Sequence, residues 1–311
     1  MLETFEGSVE SVPGFRAVGI SCGIKINPRP DLGLIICDTP CAAAGVFTTN
    51  RVQAAPVRYC RGVLAAGADK IRAVVVNSGN ANACTGERGE HDAASTAAEA
   101  ERLFGLSERT ALVMSTGVIG VPLPLEKIFA GLAAARDRLI SGQAAGNGFS
   151  QAILTTDMVE KRLAVRFDLG GTTATIGGAA KGSGMVHPNL ATMLGFITTD
   201  AAVDSVVLAA ALHSVSERTF NMISVDGDRS PNDSVFLLAS GTCGAAAIDS
   251  TGSPEYESFC EALHTVCRSL ARKIAADGEG ATRLVEVRVV GAQSYDDAVR
   301  VARAIANSPL V

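Results

Sequence analysis

The residues Ala180-Lys181-Gly182-Ser183-Gly184-Met185-Val186-His187-Pro188-Asn189-Leu190-Ala191-Thr192-Met193-Leu194 set a glycine-bearing approach against a small Ala and a β-branched hydroxyl residue. That order suits a chain that cuts itself. A Thr hydroxyl is a weak nucleophile at neutral pH unless a base sits beside it, and the α-amine of an N-terminal Thr is such a base. An α-amine has a reference pKa of about 7.7–8.0 against about 10.4 for Lys, so far more of it is neutral at pH 7. Hydrolysis of the Ala191–Thr192 bond would create nucleophile and base in one residue. Gly182 and Gly184 permit the unusual backbone path such an attack needs, and the restricted χ1 of Thr limits the wrong hydroxyl directions. Read locally, the same residues are also a Gly/Pro loop before a buried segment, Met193 to Thr198, with Thr192 at the boundary.

Further blocks lie on both sides. Upstream are Gly14-Phe15-Arg16-Ala17, Ala44-Gly45-Val46-Phe47-Thr48-Thr49-Asn50, Val76-Asn77-Ser78-Gly79-Asn80-Ala81-Asn82-Ala83-Cys84-Thr85-Gly86 and Ser115-Thr116-Gly117-Val118-Ile119-Gly120. Downstream come Ser224-Val225-Asp226-Gly227-Asp228 and Asp277-Gly278-Glu279-Gly280-Ala281-Thr282. In this order, and with the Ala-Thr-Met-Leu bond between them, they resemble the ornithine acetyltransferase family, the bifunctional glutamate N-acetyltransferases of arginine biosynthesis. The likeness runs over nearly the whole chain.

The resemblance implies an αββα-type layered core with the nucleophile at a strand edge. It implies self-cleavage into residues 1–191 and 192–311, with Ala191 and Thr192 flanking the cut. Thr192 would then carry acetyl from N-acetylornithine to glutamate in a ping-pong reaction, with acetyl-CoA as a possible second donor and no metal or organic cofactor. Thr116 and Gly117 match the family's oxyanion hole, and Thr155, Lys181, Thr192 and Glu279 its substrate contacts. An α2β2 assembly in the cytoplasm is implied as well. Family members continue for many tens of residues past position 311, through an Asp-Pro-Asn-Trp-Gly segment and a terminal Asn/Thr pair. This chain has no Trp and ends on Pro309-Leu310-Val311, so a truncated and inactive member is one reading. A self-processing amidohydrolase or aminopeptidase, passing the acyl group to water, is another.

The residue types fit those roles. Acyl transfer builds charge on a carbonyl oxygen, and one donor fixed in advance around it is worth about 3–4 kcal/mol. Thr116-Gly117 follows an apolar run and reads as a turn able to aim a hydroxyl and an N–H outward; an ordinary strand-to-helix turn has the same pattern. Lys181, the cation of its glycine-rich stretch, suits a carboxylate as a point charge. A Glu at 279 suits an ammonium, and is equally a solvated residue after a helix.

Composition bounds the rest. The chain has 311 residues, a formal charge of −5 and 47% hydrophobic residues, which marks a globular protein without the basic face that nucleic acid requires. No apolar run is long enough to span a bilayer, and the acidic, polar start is not a secretory signal. Eight cysteines without paired C-x-x-C spacing read as reduced, mostly buried thiols.

Short strands are expected over 15–26, 32–37 and 43–48. Alternation follows: strands at 71–76, 111–114, 194–199, 235–239 and 284–290, helices at 91–104, 125–141, 203–219, 255–276 and 295–306, and a hairpin over 161–176. Such a pattern specifies an α/β protein of mixed sheets covered by helices. The loop from Asp226 to Asp233 fails as an EF-hand, with Pro231 where Gly is needed and Leu237 where Glu is needed; it reads as a structural turn near the site, in which Arg229 and Pro231 depart from the family pattern. The stretch 177–184 lacks phosphate-loop order, no Gly-x-Ser-x-Gly elbow occurs, and the four histidines show no metal-ligand spacing.

Overall fold

The computed structural model describes residues 2–139, 143–187, 193–308 and 310. In chain order the strands and helices are β1 (Leu2–Phe5), β2 (Phe15–Ile20), β3 (Leu32–Phe47), α1 (Ala55–Ala66), β4 (Ile71–Asn80), α2 (Gly86–Phe104), β5 (Ala111–Val118), α3 (Leu125–Arg136), α4 (Gln143–Ala152), β6 (Lys161–Leu169), β7 (Thr172–Lys181), β8 (Leu194–Thr199), α5 (Ser205–Glu217), β9 (Ser234–Ala239), α6 (Pro254–Ala276) and α7 (Tyr295–Ala306).

One hydrogen-bonded path runs β1-β6-β7-β8-β9-β3-β4-β5, with β2 added to β3. The long strand β3 belongs to two sheet segments. Up to Cys41 it pairs antiparallel with β4; from Ala42 onward it pairs antiparallel with β9, after an irregularity between Ile36 and Cys41. Bulges bend a strand and increase its twist, so the chain passes there from one layer to the other. The expected strands 32–37 and 43–48 are therefore a single bent strand.

Side chains alternate across the layers. On β8, Leu194 and Phe196 face the core shared with β2–β5, while Ile197 faces the helices α5 and α6. Phe149 of α4 meets Phe196 edge-on, with centroids 5.1 Å apart, so α4 wedges between the layers. Helix α6 places Phe259, Leu263, Val266, Leu270 and Ile274 on its buried stripe, the spacing of a helix with one apolar face. Ser253 caps it, its Oγ accepting from the Tyr256 amide at 3.1 Å, and Pro254 opens it. Strands β8 and β9 are parallel and buried at every residue, as expected of a run without polar alternation. The layered α/β order expected from the sequence is present.

Several expectations need correction. No strand forms over 284–290; Leu284, Val285 and Val290 are 42%, 67% and 76% exposed. An apolar run needs a neighbouring strand to satisfy its backbone, and among the described residues none lies alongside. Strand β1 and helices α1 and α4 were not expected. Pro56 conceals α1 in the sequence, yet it stands at the helix start, where its missing N–H costs nothing. Helix α7 is present at the expected bounds but none of its residues is buried. The cysteines form no disulfide; Cys37, Cys41, Cys60 and Cys267 are buried and Cys84 is exposed.

Candidate active site

Strands β7, β8 and β9 meet where the quoted stretch interrupts the sheet. Lys181, the last residue of β7, pairs in register with Leu194, the first of β8. Leu194 in turn pairs with Ser234, the first of β9. Ala191 and Thr192 lie outside the described residues. Met193, joined covalently to Thr192, is buried and donates its amide to Asp233 Oδ1 at 3.0 Å.

Lys181 is 2% exposed and stands on a strand rather than in the loop the sequence suggested, because the glycines before it at 177 and 178 are paired residues of β7. Its Nζ donates to Thr155 Oγ1 at 2.7 Å and to Thr116 Oγ1 at 3.4 Å. Lys181 thus joins two other expected site residues, each within hydrogen-bond reach of its ammonium. An ammonium has only donors, so Thr116 accepts from Lys181 and keeps its hydroxyl proton to give elsewhere. Burial lowers the Lys181 pKa, and the Asp157 carboxylate, 3.9 Å away, opposes that shift.

Thr116 and Gly117 lie at the end of β5, not in a turn. The strand continues because Ser78 and Gly79 of parallel β4 pair with them. Gly117 has φ +134°, a conformation that side chains disfavour. An Asn network supports this edge: Asn77 Nδ2 donates to Asn80 O at 2.8 Å, Ser115 Oγ to Asn77 Oδ1 at 2.6 Å, and Asn232 Nδ2 to Ala81 O and Ser115 O at 2.6 and 2.9 Å. Asn232 thereby joins the loop before β9 to the end of β5. The 226–233 stretch is irregular backbone before β9, with Asp226 accepting the amides of Met185 and Val186.

Glu279 is exposed, three residues past α6. Its amide donates to Ser183 O at 2.7 Å. Its carboxyl lies against Gly184, where a Cβ would come within 2.6 Å of Glu279 Cδ, so Gly184 lets the two loops close on each other.

Three buried charges were not singled out in the sequence. Lys161 is fully buried, with Nζ 2.7 Å from Asp157 Oδ1 and 2.6 Å from Asp277 Oδ2. Burial pushes the Asp157 pKa up, but Lys181 and Lys161 outweigh it and hold the carboxyl below its usual range. The third is Asp233, fully buried, whose Oδ2 has no hydrogen-bond partner among the described residues. Burial pushes its pKa well above the ordinary carboxylate value. Their chain neighbours carry no signal: Lys161 stands between Glu160 and Arg162, Asp157 follows two threonines, and Asp233 stands between Asn232 and Ser234, as surface charges do.

Asp233 has a measurable consequence for stability. Unfolded, it ionises near pH 3.9; folded, it keeps its proton to higher pH. The native state binds more protons than the unfolded chain above that point, so stability falls as pH rises, by up to about 1.4 kcal/mol per unit, until the folded pKa is passed. Asp233→Asn removes this loss. Its stability relative to the native sequence, read from urea denaturation, should rise from about pH 4 upward; a difference constant with pH would show that Asp233 is ionised in the fold.

A cavity of about 660 Å³ opens elsewhere, between β3, α1 and α5 at Phe47, Arg61 and His213, and contains none of these residues. Among the described residues no helix is long and apolar enough to cross a membrane.

The layered arrangement resembles the Ntn hydrolase fold. It is shared with an L-aminopeptidase D-Ala-esterase/amidase from Ochrobactrum anthropi that is a variant of that fold, at a TM-score of 0.54 over 88% of this chain and 86% of that one, with 10% identity. The profile of the ArgJ family matches residues 16–311. The arginine biosynthesis bifunctional protein ArgJ of Symbiobacterium thermophilum is 50% identical over 312 residues, covering 100% of this chain and 76% of that protein. Among solved structures, ArgJ from Bacillus halodurans is 44% identical, with a TM-score of 0.58 over 61% of this chain and 97% of that one. Ornithine acetyltransferase from Mycobacterium tuberculosis, complexed with ornithine, is 38% identical, with a TM-score of 0.57 over 60% and 98%. The chain belongs to the ArgJ family and is an acyltransferase of arginine biosynthesis.

Proposed function

We propose that the chain cleaves itself between Ala191 and Thr192 and then transfers acetyl from N-acetylornithine to glutamate through Thr192. The observation that carries this reading is the meeting of β7, β8 and β9. Met193 is pinned by Asp233 and Leu194 is paired with Lys181, which tethers residue 192 to the Lys181–Thr116–Thr155 cluster by a single residue of chain.

In processing, Thr192 Oγ attacks the Ala191 carbonyl carbon, the amide nitrogen leaves with a proton, and water hydrolyses the resulting ester. The freed α-amine then accepts the hydroxyl proton as Thr192 attacks the acetyl carbonyl of N-acetylornithine, and returns it to the departing amine. Glutamate reverses the sequence and leaves as N-acetylglutamate. Thr116 Oγ1 and the Gly117 N–H hold the developing oxyanion. Lys181 and Thr155 receive the substrate carboxylate, and Glu279 faces the ornithine ammonium. These groups complete the chemistry with no metal or organic cofactor, and acetyl-CoA is a second possible donor. The pieces 1–191 and 192–311 pair and dimerise as α2β2 in the cytoplasm.

Mass spectrometry of purified protein tests the cut, with pieces of 191 residues and the remaining 120 of the 311 expected. Ornithine release that requires glutamate is expected too. An intact chain with full transferase activity would defeat the mechanism, and release of ornithine and acetate without acceptor would make the protein a hydrolase.

A further inference from the structure

We propose that Asp277, Lys161 and Asp157 form a buried spacer that fixes Glu279 relative to Lys181 and so selects amino-acid substrates by side-chain length. The inference rests on the reading above, in which Lys181 receives the carboxylate and Glu279 faces the ammonium.

The spacer is a continuous set of contacts. Asp277 caps the C-terminus of α6, two residues before Glu279. Its Oδ2 accepts from Lys161 Nζ at 2.6 Å and from the Met158 amide at 3.0 Å. Lys161 Nζ also donates to Asp157 Oδ1 at 2.7 Å and Val159 O at 3.2 Å, so three acceptors use the three protons of the ammonium. Asp157 Oδ1 accepts the Gly182 amide at 2.7 Å and its Oδ2 the Thr155 amide at 3.0 Å. The array therefore ties the end of α6 to Thr155 and to Gly182, the residue after Lys181, whose Nζ lies 3.9 Å from Asp157 Oδ2.

Burial gives this array one geometry. The side chains of Lys161, Asp157 and Asp277 are 0%, 0% and 9% exposed, and water cannot replace a lost partner there. The Glu279 backbone is also held by Ser183 O, two residues beyond Lys181. Loosening the Asp277 link frees the carboxylate-bearing loop to move away from Lys181 while Lys181 stays paired with Thr155. None of the three spacer residues touches substrate; all are positioning residues.

The test compares N2-acetylornithine with N2-acetyllysine, one methylene longer, using the full chain and its Asp277→Asn and Asp277→Glu variants. A single methylene is ordinarily discriminated about 10- to 200-fold. Asp277→Asn should lower kcat/KM for N2-acetylornithine roughly tenfold, mostly through KM, and leave N2-acetyllysine within about threefold, narrowing the ratio by a factor within that discrimination range. Asp277→Glu keeps the charge and serves if the Asn variant does not fold; it should narrow the ratio in the same direction. If both substrates lose the same factor in a folded, processed variant, the array is structural and the inference is overturned. Native protein that deacetylates neither substrate overturns the functional reading and this inference together.

Discussion

Replacing Thr192 by Ala leaves one uncut polypeptide of 311 residues without transferase activity. The substitution removes the hydroxyl proposed to attack the Ala191 carbonyl, and the uncut bond withholds the α-amine that would serve as base. Nucleophile and base are lost together, and groups that act as a unit do not contribute additively. The fall in kcat should be about 10⁴-fold or more, as when the nucleophile of a hydrolase is deleted. Stability should change little in comparison, since Met193 and Leu194 retain their partners Asp233 and Lys181. Denaturing electrophoresis and steady-state assays read both outcomes. A variant that is still cut, or still active, would move the nucleophile elsewhere.

Gly117→Ala should lower kcat about 10²–10³-fold with KM almost unchanged, the usual cost of losing an oxyanion donor. The reason is steric. A Cβ at Gly117 would stand 2.4 Å from the Gly79 carbonyl carbon and 2.5 Å from the Asn80 nitrogen. Both are backbone atoms of β4, so no side chain can swing aside. Relief requires the ends of β4 and β5 to part, or φ to leave +134°, and either shift carries the Gly117 N–H and the Thr116 hydroxyl away from a common target. Stability should drop by about 1–3 kcal/mol, the cost of one strained backbone position. Thr116→Val, which keeps the shape and removes the hydroxyl, is the companion if the Ala variant folds poorly. Native kcat in both variants would exclude this edge as the oxyanion site.

The reach of the sequence differs from residue to residue. Strands β8 and β9 were legible because they are parallel and buried on both faces, which leaves an apolar run with no ambiguity of period. Helix α6 was legible over 255–276, where apolar residues recur at helical spacing, while its Ser253 cap emerged only in the structure. The run 284–290 has a strand's composition but, among the described residues, no strand beside it, and pairing is a property of the neighbour. Thr116-Gly117 was read as a turn because of its Gly, yet pairing with Ser78 and Gly79 of β4 carries the strand through both residues. Lys161 and Asp277 are 116 residues apart in the chain, and no local pattern marks a Lys whose ammonium never meets water.

The stretch 180–194 offered one chemistry, a Thr hydroxyl with its own freed amine as base. Together with the blocks on both sides of it, the sequence placed the chain in its family and, through the alternation of strands and helices, in a layered α/β fold. Only the tertiary structure decided which charges are buried and what they join. The energy of an ion pair depends on the solvent removed from around it, and that removal is the work of all the layers at once.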